Sequence, residues 1–155
     1  MSAIDLFEAL GWSVPQVLET ACFSEVVAVP DVDAGRTAEA TCAHVGFHGT
    51  PSGFLQFEAD REAAITLTAG FLGLAESDPA IESFVELAVC ELGNMICGRL
   101  LSVLHPYAKW KIDPPRTAKP ASPSTKLTRR TFKVSGGHVH LSVRFGERGS
   151  FSQSH

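Results

Sequence analysis

The stretch between Pro79 and Pro106 restricts the fold of this chain most: no proline interrupts it, and its apolar residues recur at helical spacing. Asp78-Pro79 offers a cap followed by a first-turn proline, and Pro106 closes the run, so the sequence predicts one helix over 79–104. On a wheel of about 100° per residue, Ile81, Val85, Val89, Leu92, Ile96 and Val103 share an arc of about 80°, the expected core face. Leu87, Glu91, Asn94, Gly98 and Leu101 share a second arc nearly opposite, expected to face outward. Glu91 and Asn94 are then neighbours at i, i+3 on the solvent side.

The rest of the chain supplies partners for that helix. Apolar positions from Ile4 to Ala21 predict an N-terminal helix over 3–23, kinked or split at Gly11 and Pro15. Residues 30–36 read as a loop, and 38–46 and 52–57 as strands flanking the turn His48-Gly49-Thr50-Pro51. A second helix over 61–74 opens behind Asp60 as its N-cap. After the long helix come a strand over 107–112, a break at Pro114-Pro115 and a mobile Pro/Ser/Lys-rich loop over 117–125. The clearest hairpin joins 129–134 to 138–145 through Gly136-Gly137, whose residues accept the positive φ of a tight turn. The expected architecture is α/β of the α+β kind, with helices packed on a mostly antiparallel sheet. One domain spans 1–146, followed by a disordered tail over 147–155.

Composition narrows the function classes. With 45% hydrophobic and 19% charged residues, 155 residues can bury a real core without a staple. An acidic N-terminus and the lack of an apolar run near the roughly 20 residues that cross a bilayer predict a soluble, cytoplasmic protein with no membrane partner. Cys22, Cys42, Cys90 and Cys97 lack CxxC spacing and are expected as free thiols. Charge divides unevenly: residues 1–98 hold 15 acidic and 2 basic side chains, residues 99–155 hold 2 acidic and 11 basic. The basic half is spread over a loop and strands with only Trp110, Phe132 and Phe145 near it, a poor match to nucleic-acid binding, and none is expected.

Glu91 and Asn94 carry the chemistry. An outward arc usually holds Lys and Glu pairs; this one holds a lone acid and an amide framed by Leu87, Gly98 and Leu101, as a docking surface would. Gly93 stands between the pair, where a mid-helix glycine costs about 1 kcal/mol relative to alanine. Close approach of a partner backbone would use it, as would packing of Gly93 and Gly98 within the fold. Asn94 has no proton to lose, so it is neither acid nor base, but its amide can orient a water. Glu91 can accept hydrogen bonds or pair with a cation. The two do not make a small-molecule site alone; they would complete one that a partner mostly supplies.

The segment 86–98, Glu-Leu-Ala-Val-Cys-Glu-Leu-Gly-Asn-Met-Ile-Cys-Gly, resembles the Glu-x-x-Asn helix signature of the CheC/CheX/FliY family of chemotaxis phosphatases, including the glycine four residues after the asparagine. The order of elements, from the N-terminal helix through the turn at Gly49 to the final hairpin, resembles a CheX-like domain over most of 1–146. The resemblance implies a phosphatase acting on the aspartyl phosphate of a CheY-type response regulator. Asn94 would orient the attacking water and Glu91 would pair with the regulator's lysine. Mg²⁺ would belong to the regulator, with no cofactor in this chain, and the chain would be a homodimer that pairs its sheets. Leu87 stands where the family often has Asp or Ser, and Pro114 and Pro115 lie 20 and 21 residues after Asn94, near the family's proline.

Two other readings compete. A non-catalytic response-regulator-binding or flagellar-switch-like adaptor would keep the fold and the docking face without turnover. A metal enzyme would use His44, His48, His138 and His140, which share faces pairwise along their strands. With no acid close to the late pair in sequence, those histidines are expected at the solvent and no metal site is expected.

Overall fold

The computed structural model describes residues 5–31, 39–122 and 126–146. Its helices are α1 (Leu6–Cys22), α2 (Arg61–Leu72) and α3 (Ile81–Leu104); its strands are β1 (Val27–Val29), β2 (Thr41–His48), β3 (Gly53–Ala59), β4 (Lys111–Ile112), β5 (Arg116–Thr117), β6 (Thr128–Val134) and β7 (Gly137–Phe145). The strands form one antiparallel sheet in the order β1-β6-β7-β3-β2-β4, with β5 also paired to β2. All three helices cover one face of it. Alternation along the central strands makes that face: Ala43, Val45, Phe47, Leu55, Phe57, Ala59, Val139, Leu141 and Val143 point into the core and are buried. The architecture is the expected one of helices on a mostly antiparallel sheet.

Helix α3 is continuous over 24 residues and packs on β2 and β3 and against α1 and α2. Leu92, Ile96 and Leu100 are fully buried, and burial of each such side chain stabilises by about 1.5–3 kcal/mol over leaving it exposed. The helix begins later than expected because Asp78 forms a turn: its carboxylate accepts from the Ala80 amide at 2.9 Å and its carbonyl from the Ile81 amide at 3.1 Å. By length and mean hydropathy α3 would also cross a bilayer, against the expectation that no such run exists; nine of its residues are instead buried in the core.

Helix α1 runs unbroken through Pro15 for 17 residues, rather than splitting there. Burial of Leu10, Val14, Val17 and Leu18 along one stripe holds it together on both sides of the proline. Gly11 leaves room for the Arg130 guanidinium, which donates to the Phe7 carbonyl at 2.8 Å and lies 4.1 Å over the Phe7 ring.

The second half departs further from expectation. Of residues 107–112 only Lys111 and Ile112 are strand, because a turn closed by Ala108 N–H to the His105 carbonyl occupies the start. Trp110 then packs edge-on to Phe47, 5.7 Å between ring centres. The expected mobile loop is stitched down over 116–121: β5 pairs with β2, Ala118 N–H donates to the Cys42 carbonyl, and Ala121 N–H donates to the Gln56 side chain at 2.7 Å. Its last residues, 123–125, and the expected tail from 147 lie outside the described residues. The short strand β1 was not foreseen; it pairs with β6 at one edge of the sheet.

Candidate functional site

The α3 face that leaves the core displays Glu91 exposed and Asn94 half-buried, one turn apart on a continuous helix. Among the described residues neither side chain makes a hydrogen bond or ion pair. Their polar atoms are therefore available to something outside the chain. Two thiols flank the pair on α3: burial pushes Cys90 up, with the charges of Glu86 and Glu91 adding to it, and burial pushes Cys97 up to about 12.

The structure redistributes the residues expected to frame the pair. Leu87 is 70% exposed, as a docking residue would be. Gly93 instead faces the sheet and is buried, since a Cβ there would meet the Ala43 Cβ at 3.2 Å and the Phe57 Cβ at 3.5 Å. Leu101 is also in the core, 1% exposed, because the helix layer wraps further round α3 near its C-terminus than a single apolar arc implies. Both leave the docking surface. Gly98 is half-buried, with open space above it apart from Ile112 Cδ1 at 3.9 Å.

Sequence reasoning missed a groove on the other side of Glu91. Phe71 and Leu72 of α2 and Phe84, Leu87, Ala88 and Glu91 of α3 line it. Phe84 lies seven residues before Glu91, on the same outward line, which is the signal that could have found it.

The histidines do not assemble, and the expectation that they face solvent fails for one of them. His140 is 3% exposed on the sheet face away from the helices; its Nδ1 lies 3.0 Å from Thr131 Oγ1 and its Nε2 3.7 Å from Asp60 Oδ1. Asp60 stands at the N-cap position of α2 without capping it; its carboxylate accepts from the His138 amide at 3.0 Å. The acid that sequence distance hid is thus supplied by the end of β3. His48 pairs with Asp113 at 2.9 Å and His44 with Gln56 at 3.1 Å. Burial, then the charge of Arg116, lowers His44, with Asp113 opposing. Among the described residues no three His, Cys, Asp or Glu side chains converge as metal ligands. The aromatic residues of the basic half are used internally: Phe132 is fully buried, and Phe145 and Trp110 pack on Phe47.

Comparison with known proteins assigns the domain. Residues 41–134 match the family model described as chemotaxis phosphatase CheX. The chain belongs to the CheX family. The matched span holds strands β2 to β6, α2 and the whole of α3, so the Glu91/Asn94 helix lies inside the matched region. The fold is shared with solved structures of low identity. CheX from a Desulfovibrio desulfuricans subspecies superposes at a TM-score of 0.71 with 19% identity, over 92% of this chain and all of that one. A CheX-CheY-BeF3-Mg²⁺ complex from Borrelia burgdorferi gives 0.69 and 17%, over 93% and 99%. Thermotoga maritima FliY gives 0.61 and 14%, over 89% and 84%. Among curated protein sequences none matches significantly.

Proposed function

We propose that this CheX-family chain is a phosphatase that hydrolyses the aspartyl phosphate of a CheY-type response regulator. The observation that carries the reading is the Glu91/Asn94 pair: two polar side chains one turn apart, displayed by a core helix and without a hydrogen bond or ion pair among the described residues. A solved CheX bears CheY with beryllofluoride and Mg²⁺, which supports a receiver domain as partner. Asn94 orients a water for in-line attack on phosphorus; the acyl phosphate P–O bond breaks, and inorganic phosphate and the free aspartate leave. Glu91 pairs with the lysine beside the regulator's phosphorylation site. The regulator holds the Mg²⁺, and this chain contributes no cofactor. A cytoplasmic site of action and a homodimer that pairs its sheets belong to the same reading.

The adaptor reading keeps the docking face and drops turnover, and Leu87 in place of the family's frequent Asp or Ser is the observation that favours it. Turnover separates the two. A panel of phosphorylated CheY-type receivers, incubated with and without the protein, should release phosphate faster in its presence for at least one receiver; binding without acceleration across the panel establishes the adaptor.

A further inference from the structure

Three large apolar side chains at one place on the helix layer are left in water: Leu87 is 70% exposed, Leu72 41% and Phe84 39%. The other exposed large apolar residues among those described are dispersed: Phe7 and Trp12 on α1, Phe23 at its C-cap, Val27 on β1, Met95 further along α3 and Tyr107 past its end. Scattered apolar residues are ordinary surface; a cluster that lines a groove with Phe71 and Ala88 is not.

We infer that this groove selects the partner, by seating an apolar side chain that the receiver domain carries beside the lysine paired with Glu91. The inference rests on the phosphatase reading and adds to it the determinant of which receiver is accepted. Continuity carries it: Glu91 is at once half of the polar pair and part of the lining of the groove. Leu87 sits four residues before Glu91 and Phe84 seven, so the apolar contact lies about 6 to 10 Å along α3 from the charge. The matching surface on the partner must hold an apolar side chain at that distance from its lysine. Charge points the same way. Helices α1, α2 and α3 carry six glutamates against Arg61 and Arg99; Arg61 is tied to Glu82, and Arg99 donates to Gln16 at 2.6 Å. A basic or neutral rim around an apolar centre is what this layer accepts, and an acidic one it repels.

The test is the affinity of Leu87→Ser, Leu72→Ser and Trp12→Ser for CheY-type receivers of the source organism, activated with beryllofluoride and Mg²⁺. Leu87→Ser and Leu72→Ser should each raise Kd on the order of tenfold, whereas Trp12→Ser, an exposed apolar change elsewhere, should bind as the wild type does. Circular dichroism on each variant establishes that α3 is intact. Wild-type affinity in Leu87→Ser and Leu72→Ser, or an equal loss in Trp12→Ser, overturns the groove assignment. If the wild type binds no receiver, the groove and the phosphatase reading fall together. If it binds through Leu87 but does not accelerate phosphate release, the groove stands and only turnover falls.

Discussion

At the scale of single residues, position on α3 decides role. Gly93 lies between Glu91 and Asn94 in sequence yet faces the sheet, where an added Cβ would meet Ala43, Phe57 and Val45 side-chain atoms at 3.2 to 3.6 Å. Gly93→Leu should therefore overpack the helix-sheet seam and destabilise by about 1–3 kcal/mol in urea unfolding; wild-type stability would show that the seam is loose. Glu91 is exposed and Asn94 half-buried, and neither makes a hydrogen bond or ion pair among the described residues. Glu91→Ala should leave stability within about 0.5 kcal/mol of wild type while weakening both receiver binding and rate, because the partner's lysine loses its counter-charge in a desolvated interface. A stability loss of several kcal/mol would place Glu91 in the fold instead.

At the scale of elements, periodicity was informative where one helix or one hairpin decides the outcome. The continuity of α3, the β6–β7 turn and the Glu91/Asn94 display follow from spacing and turn residues within about 25 residues of chain. What spacing did not reveal was assembled from distant segments. Leu101 is buried because a neighbouring layer covers it, and the groove needs Phe71 and Leu72 from α2. His140 is buried because Asp60 and Thr131 arrive from β3's end and β6, and the segment over 116–121 is ordered because β2 and Gln56 bind it. Asp31, two residues after β1, shows the same effect with a measurable consequence. Burial pushes Asp31 up, but hydrogen bonds from Thr131 and Arg129, and the charges of Arg129 and His140, outweigh it and hold its carboxyl below the ordinary 3.8. Its contribution to stability is then complete above that ordinary value and is lost as pH falls through the lower folded value. Asp31→Asn should be less stable than wild type at pH 7, and the gap should close below about pH 4; a gap that widens in acid would contradict the assignment.

At the scale of the whole molecule, the sheet separates two kinds of surface: an acidic helix layer bearing Glu91, and an opposite face with Arg129, Lys133 and Arg144 on its alternate positions. Among the described residues β1, with Val27 58% exposed, ends the strand order and pairs with β6 alone, and the proposed homodimer would pair sheets at such an edge. Light scattering at micromolar concentration should return a dimer mass; a monomer would remove the paired-sheet assembly while leaving the α3 site unchanged. At that site the proposed chemistry divides between Asn94, which orients the water, and Glu91, which pairs with the partner's lysine. The deciding measurement follows phosphate loss from a phosphorylated receiver under saturating wild type and saturating Asn94→Ala, with affinity for the beryllofluoride-activated receiver measured in parallel. Asn94→Ala should bind within a few-fold of wild type and lose about 10²- to 10³-fold in rate, since removing one preorganised contact to the reacting centre typically costs about 3 to 4 kcal/mol of barrier. Full acceleration by Asn94→Ala would show that the pair has no catalytic role.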